Sequence, residues 1–264
     1  NDEDVFFGRS ADVAASLELL RSRGFVALVG SSGSGKSSLA RAGVAPAVHR
    51  GGLGGWPPKW KPIVVTPGRE PFETWVSALS ALDEKIAACK LDSVASAVEA
   101  HAERTGEGVL ILVDQLEELV TLSEATSRDR AVELIVRLSE RATPGVRVLG
   151  AGRRDLLDDM LALPHGFGRL LTRGMQLVTP LSDAVWEDVL AQSLAAYGYR
   201  FEDEELRKEV LHQLHGTISA MPLVQFALTQ LWAQRDTKLK IIPRKGLKAI
   251  GGIDGALERH AEGT

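Results

Sequence analysis

A single cysteine, Cys89, in 264 residues excludes an internal disulfide and any site built from clustered thiolates. That economy suits a reducing compartment, and a cytoplasmic location is expected. The histidines show no metal-ligand spacing. No apolar run approaches the length of a membrane span and no signal peptide is visible, so no membrane partner is expected. Aromatic residues make up 5% of the chain and do not interleave with basic ones, and the net charge is −4. Both observations disfavour a nucleic-acid surface. The basic run Lys238, Lys240, Arg244, Lys245 and Lys248 reads as a solvated face. No internal repeat is apparent. What remains is ordinary globular composition, 44% hydrophobic and 25% charged, enough for one or two cores. The chain begins without Met and ends inside a helical pattern, as expected of a piece of a larger protein.

Against these absences one motif stands complete. Gly30-Ser31-Ser32-Gly33-Ser34-Gly35-Lys36-Ser37 spells a P-loop. The apolar run Phe25–Val29 before it reads as a buried strand, and Ser37-Ser38-Leu39-Ala40-Arg41-Ala42 after it reads as a helix start. Gly30, Gly33 and Gly35 are expected to let the backbone adopt φ > 0 and wrap closely around phosphate oxygens. Their N–H groups form an anion nest, reinforced by the positive end of the helix that follows. Lys36 is placed for the β- and γ-phosphates. Ser37 offers a hydroxyl to Mg2+, which prefers oxygen. Nucleotide and Mg2+ are the expected ligands.

Five apolar runs, Phe25–Val29, Pro62–Thr66, Val109–Val113, Val146–Ala151 and Met175–Thr179, alternate with helical patterns. Near-continuous hydrophobicity suits parallel strands covered on both faces, and the alternation argues a doubly wound α/β domain. A helix over about Ala11–Arg23 precedes the first strand, with Ser10 as its expected N-cap. After Pro180 the strand signals vanish and helical periodicity takes over. The boundary is expected near Thr179-Pro180. The expected division is 1–179, a nucleotide-binding domain, and 180–237, a small all-helical lid. The stretch Arg50–Pro58 reads as a loop whose tryptophan either touches nucleotide or anchors the loop.

A P-loop needs an acid at the end of a neighbouring strand. Val109-Leu110-Ile111-Leu112-Val113-Asp114 supplies it, a carboxylate at a strand's carboxyl end, where α/β sites form. Asp114 is expected to hold Mg2+ directly or through water. Glu117 and Glu118 follow, and either can orient or deprotonate an attacking water. The fourth strand ends in Arg153-Arg154-Asp155. Either arginine could reach a γ-phosphate, or pair with Asp155, Asp158 or Asp159.

With these residues laid out, the chain resembles the nucleotide-binding module of STAND ATPases, the class that includes NACHT and NB-ARC proteins, and most closely the bacterial novel STAND group. The resemblance runs through Phe6-Phe7-Gly8-Arg9, Gly30–Ser38 with Arg41-Ala42-Gly43, and Pro67-Gly68. It continues in Asp114-Gln115-Leu116-Glu117-Glu118, Arg153-Arg154-Asp155-Leu156, Pro222–Leu228 and Gly251–Leu257. It implies a five-stranded P-loop NTPase parallel sheet of order 5-1-4-3-2, then the helical lid. It also implies the truncated start of a winged-helix region over 238–264. It further implies Phe7, Gly8 and Arg9 against the adenine, Arg153 as sensor, and Pro222 packed on the base. Phe7 reads equally as a core aromatic, and Pro222 as a first helical residue. The family usually has Gly-x-Pro in the lid where this chain has Ala220-Met221-Pro222.

The expected function is an ATP/ADP switch with slow Mg2+-dependent hydrolysis, in which Lys36, Asp114, Glu117, Glu118 and Arg153 carry the chemistry. In a full-length protein it would govern self-association and the output of effector and sensor domains in missing segments. The alternatives are a constitutive AAA+-like ATPase acting on nucleic acid or protein, and a nucleotide-dependent scaffold with little hydrolysis. A small-molecule kinase would need a phosphoacceptor pocket for which no residue signature is visible.

Overall fold

The computed structural model describes residues 7–139, 143–215, 221–253 and 255. The chain divides into two compact units. One comprises 9–31 and 36–178; the other comprises 1–8, 32–35 and 179–264.

The first unit is built on five strands: β1 (Phe25–Gly30), β2 (Lys59–Val65), β3 (Glu107–Val113), β4 (Val146–Arg153) and β5 (Met175–Leu177). All pair in parallel, in the order β2-β3-β4-β1-β5. Read from the other edge this is 5-1-4-3-2, the order the resemblance implies. The three inner strands are buried almost end to end, as their apolar runs require. The outer two are edges. Among the described residues strand β2 pairs only with β3, and it alternates between buried and exposed positions. It also starts three residues before the apolar run, at Lys59. An edge position explains how Pro62, which has no N–H to donate, sits inside a strand.

Helices cover the sheet: α1 (Ser10–Ser22), α2 (Lys36–Ser38), α3 (Ala45–His49), α4 (Pro71–Leu79), α5 (Leu91–Thr105), α6 (Glu118–Thr121), α7 (Ala125–Ser139), α8 (Leu157–Leu161) and α9 (Phe167–Gly174). Helices α2 and α3 are joined by a π-helical turn, Leu39–Val44, which the reading of 37–42 as a helix start does not distinguish. In α1 the N-cap position belongs to Arg9, not Ser10, and no side chain caps it. Ser10 is already helical.

Helix α9 was not legible as a helix, because its glycines serve packing rather than propensity. A Cβ on Gly174 would lie 2.2 Å from the Phe25 carbonyl oxygen, and one on Gly168 would lie 2.3 Å from that of Leu161. These contacts bring Phe167 edge-on to Phe25, ring centres 5.6 Å apart. Both rings belong to one core with Ile111, Val113, Leu116 and Ile135. In the loop over 50–58, Trp56 is half exposed, whereas the nearby Trp60, in β2, is buried.

The second unit contains α10 (Asp183–Ala196), α11 (Glu204–His215), α12 (Met221–Ala233) and α13 (Arg244–Ala249). Trp186, Leu190, Leu206, Val210, Leu231 and Ile250 form its core. Helices α10, α11 and α12 run in the stretch after Pro180 where helical periodicity takes over, whereas α13 lies in 238–264, for which the resemblance alone implies structure. The unit also holds two short strands, β6 (Arg200–Phe201) and β7 (Ile241–Ile242), paired in parallel. The segment 180–237 is therefore not wholly helical, because two residues are too few to show an alternation. Ala220 and Asp254, and residues 256–257 of the last family block, lie outside the described residues. No helix among the described residues is long and apolar enough to cross a membrane.

Candidate nucleotide-binding site

The sheet's register assembles the site. Gly30, the last residue of β1, lies beside Arg153, the last of β4, and Val113 of β3 lies beside Gly150. The loop after β1 and the acid after β3 therefore flank the end of β4. Small residues in β4 make this possible. A Cβ on Gly150 would come within 3.2 Å of Leu116 Cδ2, and one on Gly152 within 3.3 Å of Met160. Leu116 instead packs into the core, and its N–H donates to the Ala151 carbonyl at 2.8 Å.

Gly30 does not take the positive φ expected of it, because it is still the last residue of the extended strand β1, whereas in the loop Gly33 and Gly35 have φ of 72° and 84°. These left-handed conformations are costly for any residue with a Cβ. Lys36 opens α2 and folds back, its ammonium donating to the carbonyls of Gly30 (3.1 Å) and Ser31 (2.7 Å). Burial holds its pKa below the ordinary lysine value, opposed chiefly by the Glu117 carboxylate. Ser38 follows Ser37 in the same short helix.

Asp114 extends β3 by one residue, its N–H donating to the Val65 carbonyl at 2.9 Å. Its side chain is buried and fully engaged. Oδ1 accepts from the Ser37 hydroxyl at 2.7 Å and from the Gln115 N–H at 3.0 Å, and Oδ2 accepts from Arg41 Nε at 2.8 Å. Gln115 takes a left-handed φ of 57°, unusual for a residue with a side chain. That turn sends Leu116 inward and starts Glu117 and Glu118 in different directions.

The two glutamates, inseparable by spacing, differ in their surroundings. Glu117 Oε2 accepts the Arg153 backbone N–H at 3.2 Å. Glu118 Oε2 accepts the Gly68 N–H at 2.9 Å, and the nearby Ser123 hydroxyl donates to the Gly68 carbonyl at 2.8 Å. Glu118 thus staples the Pro67-Gly68 turn, while Glu117 stays with the end of β4 and is the first carboxylate felt by Lys36. The Arg153 guanidinium engages Asp155 through Nε (3.1 Å) and Nη2 (2.5 Å), raising the arginine's pKa and lowering the aspartate's.

The donor set fits Mg2+. Ser37 Oγ and Asp114 Oδ1 are hard oxygens side by side. Among the described residues no group of three His, Cys, Asp or Glu forms a protein cage. An ion held by one or two protein oxygens, with phosphate and water completing its shell, is the mode Mg2+ favours.

Of the residues expected on the adenine, Arg9 is buried and pairs with Asp12 at 2.8 Å. Phe7 and Gly8 belong to the second unit. There Gly8, at φ 77°, lies against α10: a Cβ would come within 2.5 Å of Val189 Cγ2 and 2.9 Å of Val185 Cγ1. Pro222 is the second residue of α12, and its side chain lies outside the described residues. The partner that sequence reasoning missed is Arg41. It sits in the π-helical turn, where the Ala45 N–H reaches back five residues to the Ala40 carbonyl. Nothing in local spacing points from Arg41 to Asp114, 73 residues away.

The family model described as Novel STAND NTPase 1 matches residues 1–264. No match is found among curated proteins. Among solved structures, the ADP form of the Aeropyrum pernix ORC2 protein is similar at 14% identity and TM-score 0.65, over 96% of this chain and 69% of that one. The Walker-type ATPase of Pyrococcus abyssi follows at 17% identity and TM-score 0.60, over 98% and 77%. Domain III of the Thermotoga maritima replication initiation protein DnaA is similar at 16% identity and TM-score 0.58, over 93% and 92%. At these identities the likeness is one of fold.

Proposed function

The chain belongs to the novel STAND NTPase 1 family and is a P-loop ATPase; from that premise we propose that it is a nucleotide-operated switch whose slow ATP hydrolysis resets it. The observation that carries the reading is the hydrogen bond from Ser37 to Asp114, with Lys36 folded over the same loop. Three groups of the required chemistry meet at one strand end, from parts of the chain 77 residues apart.

In this reading Gly30–Ser38 wraps the phosphates with backbone N–H groups, and Lys36 exchanges its carbonyl partners for β- and γ-phosphate oxygens. Ser37 and Asp114 hold Mg2+, which supplies charge neutralisation to the phosphates. Glu117 orients the attacking water, since Glu118 is committed to the Gly68 turn. Arg153 senses the γ-phosphate, which competes with Asp155 for the guanidinium.

Phe7, Gly8 and Arg9 line the adenine, and Pro222 packs on it from the segment 180–237, which acts as the lid. The segment 238–264 begins a winged-helix region. ATP favours one arrangement of lid and P-loop domain and ADP the other, so the nucleotide shifts a population. In a longer cytoplasmic protein this would control self-association and an effector.

Calorimetric titration of ATP with Mg2+ into wild-type and Lys36→Ala protein tests the site. Binding is expected in the first and none in the second; equal binding overturns the assignment. Denaturing the purified chain and identifying what is released tests the switch, for which bound ADP is expected.

A further inference from the structure

The opposite end of β1 carries a second site. Beneath Phe25, between the C-terminal end of α7, the His165-Gly166 turn and α9, lies a cavity of about 230 Å3. Its rim carries three arginines from two separate elements. Arg23 enters from the turn before β1, and Arg169 and Arg173 stand one helical turn apart on α9. His165 lies beside them. None of the three guanidinium groups has an ion-pair or hydrogen-bond partner among the described residues. Elsewhere in the same unit some exposed arginines are paired, such as Arg104 with Asp83 and Arg130 with Glu73, and others, Arg69 and Arg154, are not paired among the described residues; what sets these three apart is that they border one cavity.

A second observation points the same way. Ser139, on the cavity wall at the end of α7, is 2% exposed, and its hydroxyl has no hydrogen-bond partner among the described residues. A buried hydroxyl left unmatched is costly, and a ligand oxygen would satisfy it. The helix α9 starts at this wall, with Gly166 as N-cap in a left-handed conformation. The Arg169 guanidinium folds over that glycine so closely that a Cβ there would lie 3.0 Å from Nη2.

The geometry points to an anion site that takes a phosphoryl group. Guanidinium forks match phosphate oxygens in pairs, and three of them suit two or more negative charges better than a single carboxylate. The volume lies below the roughly 300 Å3 at which pockets accept whole drug-sized molecules. A phosphoryl moiety fits where a complete nucleotide does not. The group has two possible sources, a free phosphorylated solute or a nucleotide held by a second copy of the chain. The site lies at the amino end of β1, so it is separate from the P-loop and goes beyond the reading given above.

Calorimetry with inorganic tripolyphosphate on the Lys36→Ala chain tests the first source. One-site binding is expected, weakened at least tenfold by adding Arg169→Gln and Arg173→Gln, with the thermal midpoint unchanged as the control for folding. Arg23→Gln, on the other element, is expected to weaken it independently. Mixing the Lys36→Ala chain with an Arg169→Gln/Arg173→Gln chain tests the second source. Phosphate release at least threefold above the sum of the two alone places the phosphoryl group on the neighbouring copy. Either result supports the site. No tripolyphosphate binding together with no complementation overturns it, whatever becomes of the P-loop assignment.

Discussion

Arg41 and Asp114 form an ion pair of 2.8 Å that ties the π-helical turn after the P-loop to the tip of β3. The arginine is half exposed; the aspartate is buried. A buried carboxylate is tolerated only when its oxygens are occupied, and Asp114 achieves this with Ser37 and Gln115 on one oxygen and Arg41 on the other. The π turn, a feature often found at functional sites, is where the arginine that reaches it resides.

Removing that cation should therefore cost stability before any nucleotide is considered. Arg41→Gln is expected to destabilise by about 1–2 kcal/mol in urea unfolding, the penalty for half-stripping a buried carboxylate. Arg128→Gln, which breaks a partly exposed pair with the adjacent Asp129, should stay within about 0.5 kcal/mol of wild type. Equal effects from the two would remove the distinction.

The glutamates should separate kinetically. Glu117→Gln is expected to keep nucleotide binding and to slow single-turnover phosphate release by about 10²-fold or more, the usual worth of a positioned base. Glu118→Gln should leave that step within a few-fold, since an amide oxygen can still accept from Gly68. The reverse ranking would transfer the role to Glu118.

Acid should expose His101. Its imidazole is held below the ordinary histidine value, first by burial and then by the Arg104 and Lys61 charges. As pH falls through about 6.5 the unfolded chain takes up a proton that the folded chain refuses, so stability present above that pH is lost below it. Between about pH 7.5 and about pH 5.5 the wild-type urea midpoint should drop further than that of His101→Gln. Parallel curves would show that His101 is not the group responsible.

Gly8 should resist substitution. Its φ of 77° and its approach to Val185 and Val189 oppose any side chain. Gly8→Ala is expected to cost about 1–3 kcal/mol, combining backbone strain with overpacking against α10. Shortening both neighbours, Val185→Ala and Val189→Ala, should recover the steric share and leave the backbone share. A thermal midpoint unmoved by Gly8→Ala would show that neither term operates.

Much of the fold was readable because its signals are local. The inner strands are nearly unbroken apolar runs, and Gly30–Ser37 names its chemistry within eight residues. The misread elements share a different cause. Helix α9 is eight residues long and gives two of them, both poor helix formers, to glycines that admit neighbouring carbonyl oxygens, so propensity hides it. Strand β6 is two residues long and exists through its pairing with β7, 41 residues away in sequence.

By itself the sequence determined which groups can bind phosphate and metal, since that depends on residue type and on spacing within one strand and one turn. Only the tertiary structure decided which of them meet. The order β3-β4-β1 brings Ser37 and Arg41 to Asp114, and the left-handed turn at Gln115 parts Glu117 from Glu118. The packing of α9 gathers Arg23, Arg169 and Arg173 around one hollow. Residue chemistry is carried by each side chain alone, whereas proximity between distant segments arises only when a shared core is buried.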